Sequence, residues 1–359
     1  MKRTIDLDEA AHLTKKRKCI SIDKLNRNIA DIEKAFIIKQ LLNLSLAEKE
    51  DPTVAYIIGS AYYFGRYNVK RDLKAAREYY SSGARFNHRD NCFCLGVMLF
   101  NGLGGDVNKP LAARMFMKAH NLGHLKGSLN FAQCLSTGDG VLINREAGRS
   151  ILLQLCSNGY VDANYQLSVL LREEGNIVES NKQLEIAVSS GHVAASFHIA
   201  SLKYYGTDNY IEDRSAAKEI YRKLYDESKH VQSAYNYALL LPVEDVKTII
   251  ECLTFAVQGG HESASHALGL RYEHGQGLEK DVCKAVELYT FAHNRGHDKA
   301  SYQLGLLSQN NGDNLNALNF FKTSFSKGLE AGRGGDLLAS RAKIVQILTT
   351  TMSTEGCSW

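Results

Sequence analysis

The stretch Ala264 to His297, ASHALGLRYEHGQGLEKDVCKAVELYTFAHNRGH, decides how the rest of the chain is read. Ala264, Leu268 and Tyr272 fall four residues apart and so share one face of a helix. Gly269 stands beside that stripe, where the missing side chain lets a second helix approach closely. Gly275 and Gly277 are expected to end this first helix, because glycine takes the left-handed C-cap geometry without a Cβ clash. Asp281 is placed to cap a second helix. On that helix Ala285, Leu288, Tyr289 and Ala292 form another apolar face, and Gly296 stops it. Two helices of this length cannot bury their faces alone. They need like neighbours on both sides.

Such neighbours run from about residue 53 to residue 330. Aligned on the small residue equivalent to Gly269, eight copies stand at Gly59, Gly96, Ala132, Ser168, Ala200, Ala238, Gly269 and Gly305. Their spacings are 37, 36, 36, 32, 38, 31 and 36 residues. The residue before each is apolar: Ile58, Leu95, Phe131, Leu167, Ile199, Tyr237, Leu268 and Leu304. Gly65, Gly102, Gly138, Gly206 and Gly275 all follow at one offset, in the loop. On the second helix Ala75, Ala112, Ala216 and Ala285 share an offset. Tyr79, Phe116, Leu152, Ile220 and Tyr289, one turn further on, are expected on the same buried face. The pattern predicts eight antiparallel helix pairs between residues 52 and 330, and no sheet.

This array resembles the Sel-one-like repeat (SLR), a relative of the tetratricopeptide repeat. The resemblance is carried by Ala264-x-x-x-Leu268-Gly269, by Tyr272 with Gly275-x-Gly277, and by Lys284-Ala285 with Tyr289. It implies an all-α, right-handed α/α superhelical solenoid whose first helices line a concave groove. The fourth, sixth and eighth copies depart from the pattern, with shortened loops (EEGNIVES, LPVEDVKT, NNGDNLN) that are closer to plain tetratricopeptide units. Around the array at 52–330, the sequence divides into a basic segment (1–19), N-terminal capping helices (20–51), a C-terminal capping helix (331–352) and a free tail (353–359).

Composition narrows the function. Apolar content of 44% and charged content of 23% belong to a folded, water-soluble chain. Of the net charge of +4, residues 1–50 contribute three, from 11 Lys and Arg against 8 Asp and Glu. The array is therefore near neutral, unlike a surface that coats nucleic acid. No run approaches the ~20 apolar residues of a membrane span, and the N-terminus has charges where a secretory signal needs an apolar core. Lys2-Arg3 and Lys15-Lys16-Arg17-Lys18 have the spacing of a bipartite nuclear-import signal, with an import receptor as the implied partner. The same clusters also suit a solvated charged tail. The expected location is the nucleus or the cytoplasm.

Chemistry-bearing residues are plentiful but dispersed. The eight cysteines (19, 92, 94, 134, 156, 252, 283 and 357) show no repeating pair spacing and read as reduced, mostly buried thiols. The cysteine-paired, β-lactamase-like branch of these solenoids is therefore not matched, and its hydrolase activity does not carry over. His124, His192, His261 and His297 each follow a closing glycine, and are expected to meet the last carbonyls of the helix just ended. His120 and His124 form an i, i+4 pair without a third metal ligand. Gly-x-Gly always follows a helix rather than a strand, so it is no nucleotide fingerprint. The sequence implies no cofactor, no metal and no catalytic set.

Two columns remain. Three residues before each small residue stand Tyr56, Phe93, Leu129, Tyr165, Phe197, Tyr235, His266 and Tyr302, which read as helix packing. One residue later come Asn130, Gln166, His198, Asn236 and Gln303. In a groove, this second column offers amide donors and acceptors to an extended peptide. It is equally what a wetted polar surface carries. The expected function is a non-catalytic scaffold or adaptor binding a partner protein or peptide. The alternatives are an activating subunit of an enzyme, as in the chitin-synthase regulators of the family, and a solenoid hydrolase.

Overall fold

The computed structural model describes residues 51–330 and 334–354, together with residues 36, 38, 39, 41 and 42. Every regular element among them is a helix. The chain divides into two compact units, residues 1–190 and 191–359. The first contains four helix pairs. They are α1 (Pro52–Phe64) with α2 (Leu73–Arg85), α3 (Arg89–Asn101) with α4 (Lys109–Asn121), α5 (Leu125–Thr137) with α6 (Arg145–Ser157), and α7 (Val161–Glu173) with α8 (Ile177–Ser189). The second contains four more: α9 (Val193–Tyr205) with α10 (Arg214–Ser228), α11 (Val231–Leu240) with α12 (Val246–Gln258), α13 (Glu262–His274) with α14 (Val282–Asn294), and α15 (Asp298–Asn310) with α16 (Asn314–Glu330). A single helix, α17 (Gly334–Thr354), follows. These are the eight pairs predicted from the spacing.

One contact is repeated in every pair. The small residue used for the alignment is the eighth residue of each first helix, and all eight are buried. The eighth residue of each second helix is also buried: Tyr80, Phe116, Leu152, Leu184, Tyr221, Leu253, Tyr289 and Phe321. Where the small residue is glycine, its partner is a ring lying flush on the backbone. A Cβ added at Gly59, Gly96, Gly269 or Gly305 would stand 2.8, 2.6, 2.6 or 2.6 Å from Tyr80, Phe116, Tyr289 or Phe321. Against Ala132, Ser168 and Ala238 the partner is a leucine. In seven of the eight pairs glycine thus meets a ring and alanine or serine meets a leucine, which keeps the volume across the contact roughly constant; Ala200 against Tyr221 is the exception.

The positions that sequence offset assigned to the second helix are corrected in two copies. In α2 the buried residues are Ala76 and Tyr80, not Ala75 and Tyr79, and in α10 they are Ala217 and Tyr221, not Ala216 and Ile220. The cause is loop length. Residues 65–72 and 206–213 make loops of eight residues, one more than 102–108, 138–144 and 275–281. The longer loops turn on two consecutive left-handed residues, Tyr67-Asn68 and Asp208-Asn209, in place of a second glycine. One extra residue displaces every position counted from the first helix.

The role of Gly277 is corrected as well. Gly275 alone is the C-cap of α13, with φ of 68°. Gly277 instead lies on the start of α12, where a Cβ would come 1.9 Å from Val246 Cγ1. The loop glycine therefore joins one repeat to the one before it.

Helix starts follow an alternating rule. Second helices are capped by Asp72, Asn108, Asn144, Asn176, Asp213 and Asp281, each accepting a backbone N–H with its side-chain oxygen. First helices are capped by His88, His124, His192, His230, His261 and His297, each accepting the N–H three residues on with Nδ1. The expected contact of His124, His261 and His297 with the preceding helix's carbonyls is made by the backbone N–H, not by the ring nitrogen Nδ1. The rings belong to the positive end of the following helix, and an acceptor there must be unprotonated.

Beyond the pairs, Leu41 packs with Val54 and Ile58 of α1. Ile344 and Ile347 of α17 lie on Ala317 and Phe321 of α16.

Candidate partner-binding face

The aromatic column is a seam between repeats. Tyr56, Phe93, Phe197 and His266 each lie between the eighth-position ring of their own repeat and the cap histidine of the next. Phe93 is 6.4 Å from Phe116 and stacks at 4.4 Å on His124. Tyr56 touches Tyr80 and His88, and Phe197 touches Tyr221 and His230. His266 is 5.8 Å from Tyr289 and 4.9 Å from His297, and Tyr235 is 4.5 Å from His261. Burial lowers the pKa of His124, His230 and His261, and brings His266 down to about 4. Neutral imidazoles suit both the stacking and the capping. This column is committed to holding repeats together.

Most of the dispersed cysteines and histidines are likewise buried or hydrogen-bonded. Cys92, Cys94, Cys134, Cys156, Cys252 and Cys283 are free thiols. Burial pushes Cys94 up to about 12 and Cys134 and Cys252 to about 11, which keeps them protonated. His120 shares a 2.9 Å hydrogen bond with Ser128, and His293 an equivalent one of 2.8 Å with Ser301. His124 holds the N–H of Gly127 on Nδ1, with Nε2 at 3.4 Å from Asp90. No group of three metal-ligating side chains exists among the described residues. No described helix is long and apolar enough to cross a membrane.

The second column has a different setting. Asn130, Gln166, His198, Asn236 and Gln303 are each the sixth residue of a first helix, and all five are half-buried. In the first unit, α1 touches α3 and α5 touches α7, first helix against first helix. Asn130 and Gln166 therefore stand on adjoining helices. In the second unit His198, Asn236 and Gln303 stand on α9, α11 and α15, and Ala267 on α13 interrupts the series. Asn236 stands beside the Tyr221 hydroxyl and so belongs to the packing of its own unit. The basic clusters at Lys2, Arg3, Lys15, Lys16, Arg17 and Lys18 lie outside the described residues.

Comparison with known families places the architecture. The Sel1 repeat matches residues 53–85, 92–124 and 263–297, the first, second and seventh helix pairs. Three of the chain's eight helix pairs are Sel1 repeats. The three matched repeats combine a glycine–ring contact with a long loop. The other five Sel1-like units lack one or both, although their eighth-position contact is the same. No curated protein matches the sequence. Among solved structures, the chain is similar to a protective antigen of uropathogenic Escherichia coli that displays an SLR fold. The TM-score is 0.55, with 23% identity over 92% of this chain and 74% of that one. A Sel1 repeat protein from Oxalobacter formigenes aligns at 16% identity over 74% of this chain and 97% of its own, with a TM-score of 0.43.

What sequence reasoning missed on this face is a concavity beside Asn130. Phe100 and Phe116 form its floor with Val97 and Cys134, while Asn130 and Gln133 stand at its rim. It encloses about 200 Å³. A signal was present in Cys134. Other first helices place Leu170, Leu202, Leu240 and Leu307 at that position, so a small thiol there leaves space.

Proposed function

We infer that this Sel1-repeat protein is a non-catalytic interaction scaffold that holds an extended segment of a partner protein along its first helices. The observation that carries this reading is the recurrence of neutral amides at one helical position, on adjoining helices α5 and α7. An extended backbone needs both donors and acceptors, which side-chain amides supply without the charge that phosphate binding requires. The near-neutral array supports protein over nucleic acid as the partner class.

The test uses the full chain as bait in an extract of its own cell. Asn130→Ala/Gln166→Ala protein should melt like wild type and recover much less partner, since each amide cut leaves a peptide group unpaired at about 1–3 kcal/mol. Equal recovery by both baits overturns the reading. The basic clusters add an import receptor as a transient partner and the nucleus as destination. Changing Lys15, Lys16, Arg17 and Lys18 to Ala should move a tagged protein to the cytoplasm. A wild-type protein that is cytoplasmic from the start overturns that assignment.

A further inference from the structure

We propose that the concavity between α3, α4 and α5 is the anchor subsite of the scaffold, taking one neutral apolar side chain (leucine, methionine or phenylalanine) from an extended partner peptide. The proposal rests on the interaction reading above and gives it a location and a specificity.

Size argues for one side chain. Sites for cofactors and drug-sized ligands enclose roughly 300–1,000 Å³, whereas this one holds about 200 Å³. Its floor is apolar, and its thiol is held protonated by burial. The neighbouring cation is spoken for: the Lys109 ammonium is 2.6 Å from Asp139 and 5.3 Å from the Phe100 ring centroid. The site therefore selects against charged anchors.

The rim argues for a peptide rather than a lipid or a free hydrocarbon. Asn130 and Gln133, three residues apart on α5, stand one above the other on the same face. Among the described residues neither spends its side-chain amide on another group, whereas Asn101 at the same mouth donates to the Val97 carbonyl at 2.9 Å. Two open amides beside an apolar well match the backbone and side chain of one extended residue. The space exists because Cys134, 2% exposed, occupies a position where four other repeats carry leucine. Cys134→Leu restores the usual residue and fills the well.

The experiment pans the immobilised full chain against a display library of random linear peptides, then measures the selected peptides on wild-type and Cys134→Leu protein. The expected result is a set of sequences sharing one neutral apolar position. Changing that residue to serine should weaken binding to wild type at least about tenfold, the effect of losing one buried apolar side chain. The same change should have no effect on Cys134→Leu protein, which itself binds the parent peptide at least about tenfold more weakly. A thermal melt verifies that this variant folds, and Val97→Phe closes the same mouth from α3 if it does not. Peptides that bind wild type and the filled variants equally, or that share a charged position instead, overturn the anchor and leave the scaffold reading standing. If no linear peptide is enriched, both fall.

Discussion

Repeats seven and eight meet the same packing requirement with different loops. Between α13 and α14 the loop has seven residues, 275–281, and between α15 and α16 it has three, 311–313. Yet Tyr289 lies on Gly269 as Phe321 lies on Gly305, ring on glycine and eighth residue on eighth residue. The difference is in what the loop reaches. Gly277 settles on α12 of the preceding repeat, whereas a Cβ at Gly312 would meet nothing within 4 Å. The helix pair is thus fixed by its own contact, and the long loop adds a joint between repeats.

The largest expected effects test whether the two pairs are equivalent. Tyr289→Ala and Phe321→Ala should each cost about 3–5 kcal/mol, because both rings are fully buried. Denaturant unfolding of the full chain reads this directly. A much smaller loss in repeat eight would show that its short loop has relaxed the contact. Tyr289 also donates its hydroxyl to Glu273 at 2.6 Å, so its substitution should be the more damaging of the two.

A second pair of variants isolates the loop joint. Gly277→Ala should suffer overpacking of about 1–3 kcal/mol against Val246, added to left-handed strain of roughly 1–2 kcal/mol. Gly312→Ala, at φ of 81°, should show the strain alone. Equal destabilisation of the two would remove the joint from the comparison.

The smallest single effects concern caps. His261→Ala should lose about 1 kcal/mol and His261→Asn should retain most of it, since asparagine supplies the same acceptor. Their pH dependence separates first helices from second helices. Burial holds His124, His230 and His261 below the ordinary value of about 6.5, so the unfolded chain takes up protons first. Their contribution is complete at higher pH and is lost as the pH falls from about 6.5 through the lowered folded values. His266 extends that loss to about 4. The Asp281 carboxylate is held below its usual value, first by the Lys284 N–H, so its contribution survives until the pH falls below about 4. Urea melts across this range should show two successive declines, the upper one reduced in His261→Asn. A single decline confined to the acid end would refute the imidazole caps.

Much of this was legible before any coordinates. Period and glycine placement fixed eight pairs, because an apolar face repeating every three to four residues is one that must be buried. Asp281 was readable as a cap because short acidic side chains have few other uses at that point. The histidines were misread for a physical reason. A Gly-His boundary belongs to two helices at once, and only the direction of Nδ1 shows which of them the ring serves. In Tyr79 and Ile220, counting from the first helix failed because one extra loop residue rotates the second helix's apparent face by about 100°.

Sequence by itself therefore determined the helix pairs, their number and the small residue each first helix brings to its partner, since these follow from local periodicity and volume. The tertiary structure decided the seam and the site. Whether Phe93 faces a groove or stacks on His124, and whether Asn130 borders a well while Asn236 stands beside the Tyr221 hydroxyl, depends on contacts between repeats. Those contacts join residues about fifteen to thirty positions apart and leave no periodic mark of their own. Cys134 shows the boundary between the two: its identity was plain, but the space it leaves exists only once α3, α4 and α5 are packed around it.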